Sequence, residues 1–243
     1  MNDSSKEKVG IIGVPLGFGA GRTGSQLGVE AMRLAKIRGA TLIDHIKELG
    51  FDVTDHGDIE VVVPQRVADE SENPKYLPEM AATSANIASK VKEVLGDGSF
   101  PVILGGDHSV AIGSVSGVSS FFHDRGEEIG LIWFDAHADI NTPETSASGN
   151  IHGMPMAALL GQGRDELVNI EGFSPKIDPK YIAHVGVRDV DAGERARILD
   201  LGLRDQFFTM SDIDKRGILA CVNDAIDIAG AAPGGFAVTF DVD

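Results

Sequence analysis

Three short stretches of this 243-residue chain carry the side chains best suited to chemistry: Gly105-Gly106-Asp107-His108-Ser109, Asp135-Ala136-His137-Ala138-Asp139 and Asp241-Val242-Asp243. Each follows directly on an apolar run of strand-like character. The D-x-H-x-D spacing sets Asp135, His137 and Asp139 at i, i+2 and i+4, so in extended backbone they share one face. Asp241 and Asp243 do the same. With His108 this makes two imidazoles and four carboxylates, a donor set for hard or borderline cations such as Mn²⁺, and large enough for two ions. Two metals about 3.5–4 Å apart can share a bridging carboxylate and activate water. Taken singly, an Asp or His at a strand end is as readily a cap or turn former. Taken together, so many buried carboxylates without a cation would be costly.

Such residues need elements that bring them together. Short β-like runs at 9–14, 51–54, 102–104, 129–134, 181–187, 206–209 and 236–240 alternate with helix-period stretches at 29–49, 76–95, 109–122, 154–160, 192–201 and 211–228, the first open to a break at Gly39. That alternation predicts βαβ units around a mostly parallel sheet. Open parallel sheets place ligands at the carboxyl ends of their strands, where all three motifs fall. Residues 69–78, with Pro74 and Pro78, and residues 141–153, rich in Thr, Ser, Asn and Gly, are expected as long functional loops. No repeat or linker divides the chain, so one domain over 1–243 is expected.

Composition removes several classes. With 42% apolar and 24% charged residues the chain suits a globular α/β fold, and no apolar run approaches the ~18 residues of a membrane span. The first ten residues are polar and show no secretory signal, so a cytoplasmic location is expected by default. A net charge of −16 opposes nucleic acid and anionic membranes as partners. The single cysteine, Cys221, excludes an intrachain disulfide and a Cys-based zinc cage. It lies at helical spacing with Val222 and Ala225 and is expected to pack in a core.

With these residues assembled, the sequence resembles the ureohydrolase superfamily, which includes arginases, agmatinases and formiminoglutamases, and within it the arginases. The likeness runs from Ile11-Ile12-Gly13-Val14-Pro15 through the motifs above to Thr239-Phe240-Asp241-Val242-Asp243. The segment from Asn141 to Pro155 has the arginase form of its loop. The resemblance implies a three-layer α/β/α sandwich with a central, mostly parallel sheet. It implies hydrolysis of L-arginine to L-ornithine and urea by a hydroxide bridging two Mn²⁺ ions. Carried over by motif, His108, Asp135, Asp139 and Asp241 hold one ion and Asp135, His137, Asp241 and Asp243 the other, with Asp135 and Asp241 bridging. His152 moves protons, Asp139 takes part in catalysis, Asn141, Ser146, Ser148 and Asn150 hold the substrate carboxylate, and Asp191 with Glu194 the amino end. Family members continue past the third motif and assemble as homotrimers or homohexamers, so the fold is expected to be truncated at the C-terminus. An agmatine-type ureohydrolase, a metal-binding fragment without turnover and a deacetylase-type amide hydrolase remain as alternatives. Co²⁺ or Fe²⁺ would accept the same ligands.

Weaker signals weigh less. Gly19-Ala20-Gly21-Arg22-Thr23-Gly24 matches a dinucleotide fingerprint, with Asp44 at about the right distance. Asp44 falls inside a helical pattern, however, so a glycine-rich loop near the site, carrying Arg22, is the better expectation. Asp191 and Glu194 also suit the first turn of a helix. His45, His56, His123 and His184 occur singly and are expected to be ordinary polar side chains, and Trp133 to be structural.

Overall fold

The computed structural model describes residues 6–21 and 23–242. All its named strands are paired in parallel. β1 (Lys8–Val14) lies between β2 (Asp52–Asp58) and β3 (Ser99–Gly105), giving the order β2-β1-β3. β4 (Gly130–Phe134), β5 (Ile182–Val187), β6 (Phe207–Thr209) and β7 (Phe236–Phe240) form a second section in the order β6-β5-β4-β7. Among the described residues no strand pairing joins the two sections, so the single central sheet that the resemblance implies is two parallel sheets here, a division that left no mark in the strand patterns.

Helices cover both faces. α1 (Gly28–Leu34) and α2 (Leu42–Glu48) close one side of the first section over Val9, Ile11 and Leu104. On its other side α3 (Leu77–Gly96) and α4 (Val110–His123) pack on Ile12 and Val14. Over the second section, α4, α5 (Pro155–Leu159) and α7 (Ala192–Asp200) enclose Leu131, Trp133 and Phe207. The opposite face of that section meets α9 (Ile218–Ala229), whose Cys221, Ala225 and Ala229 pack on Ile132, Ala183 and Val185. The result is the expected three-layer α/β/α arrangement. α4 joins the two sections, since Ile112 enters one core while Ala111 and Val115 enter the other.

The helix pattern at 29–49 resolves into two helices, because Gly39 sits at φ 89° and a short bridge pairs Ile37 with Ala40. The pattern at 211–228 likewise splits at Gly217 (φ 83°) into α8 (Met210–Arg216) and α9. Pro78 is in the first turn of α3 rather than in the preceding loop, where its fixed φ suits a helix start. A further short helix, α6 (Asp165–Val168), lies outside any expected element. Asp44 belongs to α2 as the third residue of a capping box with Thr41, so it ends no strand and cannot play the ribose-binding part.

Candidate metal centre

The three motifs arrive from strands in different sections. β3 ends at Gly105, and the chain turns through Gly106, where a Cβ would lie 1.7 Å from the Leu16 carbonyl oxygen, so that position admits no side chain. The turn is fixed by Asp107, whose Oδ2 accepts from Gly19 N at 2.9 Å and whose Oδ1 accepts from Ser109 N at 3.0 Å. His108 thereby crosses to the second section. Its ring lies against Trp133, with centroids 4.3 Å apart, and its Nε2 is 2.7 Å from Thr239 Oγ1.

Carboxylates converge on its other nitrogen. His108 Nδ1 is 2.8 Å from Asp135 Oδ2, 3.0 Å from Asp139 Oδ2 and 3.3 Å from Asp241 Oδ2. The other oxygen of Asp135 turns away from His108: Oδ1 accepts from the His137 backbone N–H at 2.7 Å and is 3.3 Å from His137 Nδ1. Trp133 Nε1 donates to Asp135 Oδ2 at 3.1 Å. His108, Asp135 and Asp139 are buried, whereas the His137 side chain is exposed. Asp139 holds a left-handed φ of 51°, uncommon outside glycine. Strained backbone of this sort persists where surrounding contacts fix it, often at functional sites. Here its carbonyl accepts from Met156 N at 3.0 Å, tying the motif to the start of α5.

This arrangement carries excess negative charge. Burial would depress His108, but hydrogen bonds to Asp135 and Asp139 outweigh it and raise the imidazole to about 10. Burial pushes Asp139 up to about 7. Asp135 is also disfavoured by burial, yet hydrogen bonds from His108 and the His137 backbone hold it at about 2. A single imidazolium thus faces several carboxylates. Donors about 2.1 Å from a shared ion and at right angles to one another lie about 3 Å apart, which is the spacing found around His108 Nδ1. His108, Asp135 and Asp139 offer ligand atoms all within 4.8 Å of one another. The donor set therefore fits a divalent cation.

The loop after β4 surrounds this cluster. Asn141 is buried; its Nδ2 donates to Asp191 Oδ2 at 2.8 Å and its Oδ1 accepts from Thr145 Oγ1 at 2.7 Å. Ser146 Oγ and Ser148 Oγ accept from the backbone N–H of Gly149 and Asn150. Asn150 Nδ2 donates to the Ala20 carbonyl at 3.2 Å, and Lys75 Nζ reaches its Oδ1 at 3.5 Å. Asp191 caps α7 in a reciprocal box with Glu194. Glu194 is buried and pushed up by desolvation, against the hydrogen bond it accepts from the Asp191 backbone; the Asp191 charge adds to the shift and His137 opposes it. His152 is half-buried in a 3₁₀ turn (Ile151–Gly153), and its N–H donates to the Gly19 carbonyl at 3.2 Å. Burial lowers its imidazole, and His137 and His108 add to the effect against Asp107 and Asp241.

Asp243 and Arg22 lie outside the described residues. The structure adds Thr239, Trp133 and His184 to the surroundings of the cluster, where the sequence predicts a structural Trp133 and an ordinary polar His184. Only their place in register with the motifs marks them, and register is not written in one strand alone. A cavity of about 560 Å³ near the edge strand β6, lined in part by Arg188, Phe207 and Met210, includes none of the candidate ligands.

Comparison with known proteins points to one family by sequence and by fold. The sequence model of the Arginase family matches residues 7–243. An arginase from Brevibacillus brevis is 39% identical over 98% of this chain and 76% of its own length. The crystal structure of Bacillus subtilis arginase superposes with a TM-score of 0.84 at 38% identity, over 97% of this chain and 75% of that one. An Entamoeba histolytica arginase, solved in complex with L-ornithine, superposes with a TM-score of 0.78 at 27% identity, over 98% of this chain and 76% of that one.

Proposed function

The chain belongs to the arginase family, a family of hydrolases, and from that premise we propose that it hydrolyses L-arginine to L-ornithine and urea with two Mn²⁺ ions held at the cluster. The observation that carries this is the convergence of Asp135, Asp139 and Asp241 on one nitrogen of His108. The two oxygens of Asp135, one toward His108 and one toward His137, support its role as a bridge between two ion sites. His108, Asp135, Asp139 and Asp241 would hold one ion, and Asp135, His137, Asp241 and Asp243 the other. Bound there, the ions would supply the Lewis-acid chemistry that makes water a nucleophile at neutral pH, which the poorly electrophilic guanidinium carbon requires.

The chain's own groups do the rest. His152 is kept neutral near pH 7 by burial and by its imidazole neighbours, so it can take a proton and pass it to the departing amine. Asp139, in the strained turn beside His108, sets the direction of the reacting group. Ser146 and Ser148 use their oxygens to accept from the loop backbone, which leaves both hydroxyl protons to donate to the substrate carboxylate. Asn141 and Asn150 flank them. Asp191 and Glu194 hold the α-amino end. Agmatine lacks the carboxylate, so it would leave these donors unpaired and be rejected by several kcal/mol. Assembly as a homotrimer or homohexamer in the cytoplasm completes the proposal.

Urea release from L-arginine and from agmatine, measured in parallel after Mn²⁺ loading, tests it. Release from arginine alone is expected. Release from agmatine alone, or from neither by a chain shown to hold the metal, would overturn the substrate assignment.

A further inference from the structure

The register of the second section lines up one residue from each strand. Thr239 on β7 is opposite Trp133 on β4, Trp133 is opposite His184 on β5, and His184 is opposite Phe207 on β6. Residues in register share a face of the sheet. Three members of this row place a polar atom on a residue of the metal cluster. Thr239 Oγ1 is 2.7 Å from His108 Nε2, Trp133 Nε1 donates to Asp135 Oδ2 at 3.1 Å, and His184 Nε2 is 2.7 Å from the His137 carbonyl oxygen.

His184 is the member that packing alone does not explain. It is fully buried, and its ring stacks on Phe207 with centroids 4.8 Å apart. Ile182, two residues earlier on the same strand face, fills the core with no polar atom. His184 instead brings two ring nitrogens into the interior and leaves Nδ1 without a hydrogen-bond partner among the described residues. Burying an unpaired polar atom is unfavourable, so the compensation must come from the other nitrogen. That nitrogen faces a carbonyl, which only accepts, so Nε2 carries the hydrogen and donates it.

The acceptor is in the middle of the D-x-H-x-D motif. On either side backbone donors already hold the chain: Arg188 N and Asp189 N donate to the Ala136 carbonyl, and Met156 N donates to that of Asp139. The His137 carbonyl between them is held by a side chain from the neighbouring strand. Fixing this peptide plane fixes the directions in which His137 and Asp139 leave the backbone, and Asp139 follows in its left-handed conformation.

We propose that His184 is a positioning residue of the metal centre, whose Nε2–H holds the His137 carbonyl and so orients His137 and Asp139 for the ion. The inference rests on the proposed function, because it requires a cation at the cluster. The partners that orient metal ligands commonly matter 10- to 100-fold in affinity.

Three variants separate this role from simple filling of space. His184→Gln puts an amide N–H where Nε2 sits, His184→Asn stops one bond short, near Nδ1, and His184→Leu fills the space with no donor. Mn²⁺ binding is measured by titration calorimetry on each metal-free protein, with circular dichroism melting as the check on folding. His184→Gln is expected to bind like the unsubstituted chain, and His184→Asn and His184→Leu about 10- to 100-fold more weakly. Should His184→Leu fail to fold, the Gln and Asn pair decides alone. Equal affinity in the Gln and Asn variants, with the unsubstituted chain loading normally, would overturn the positioning role and leave the proposed function standing. An unsubstituted chain that takes up no divalent ion would overturn both.

Discussion

At the scale of single residues, the cluster behaves as a cation site whose charge a proton partly balances. His108 is raised to about 10 and Asp139 to about 7 by their surroundings, so near pH 7 the entering ion must displace protons. Mn²⁺ binding followed by calorimetry in two buffers of different ionisation enthalpy is expected to show net proton release. Affinity should climb as the pH is raised from about 6 to about 9. The sign for the metal-free fold is opposite: a raised His108 contributes fully below its ordinary value and loses that contribution as pH rises through about 10. Asp135→Ala removes the carboxylate that faces both imidazoles, and metal analysis is expected to show loss of ions from both sites; two ions retained would refute the bridge. His152→Asn is expected to lower turnover by about 10²- to 10⁴-fold. Metal content should be unchanged in this variant, and an unaltered rate would remove His152 from the mechanism.

At the scale of elements, α4, which begins just after the His108 turn, packs closely on α3. Gly113 and Gly117 are one helical turn apart on the contact face. A Cβ at Gly113 would lie 2.6 Å from the Ser84 carbonyl oxygen, and one at Gly117 2.6 Å from that of Ala88. Both obstacles are backbone and cannot swing aside. Gly117→Ala gains helix propensity of about 1 kcal/mol yet is expected to destabilise, since overpacking of this kind costs about 1–3 kcal/mol. Gly96, at the end of α3, has open space around it, so Gly96→Ala is expected to stabilise by about 0.4–1 kcal/mol. Urea titration of both variants checks the contrast. The capping box at α7 bears on function too: Asp191 holds Glu194 N at 2.9 Å while it receives Asn141, so it links a helix start to the loop over the site.

At the scale of the whole molecule, the negative balance of the cluster is a concentrated part of the chain's net charge of −16. A bound divalent ion relieves the local part of that repulsion and binds only where the motifs are brought together. Stability should therefore follow metal concentration, by about 2.7 kcal/mol at a hundredfold excess over the dissociation constant. Melting with Mn²⁺ against melting after chelation is expected to show a higher midpoint for the loaded protein, and coincident curves would exclude an ion linked to the fold. No helix among the described residues is long and apolar enough to cross a membrane.

The sequence by itself determined what is local. Alternating strand and helix periods place the seven strands of the described residues, because side-chain spacing along one element reflects the face that element buries. The D-x-H-x-D and Gly-Asp-His motifs mark the donor residues by type. Residues 135–139, however, follow β4 through a bend rather than in extended backbone and Asp139 is left-handed, so a turn replaces the one strand face expected of the spacing. Helix breaks were harder to place, since Gly217 becomes a boundary only through the positive φ its surroundings impose. Tertiary structure alone decided what lies opposite what. His108 leaves the first section and meets Asp135, Asp139 and Thr239 on the second, and Trp133 and His184 become partners of the cluster only through strand register. Those contacts join positions as far apart as residues 108 and 239, and nothing in the local spacing of a chain records which distant atoms packing will bring within hydrogen-bond reach.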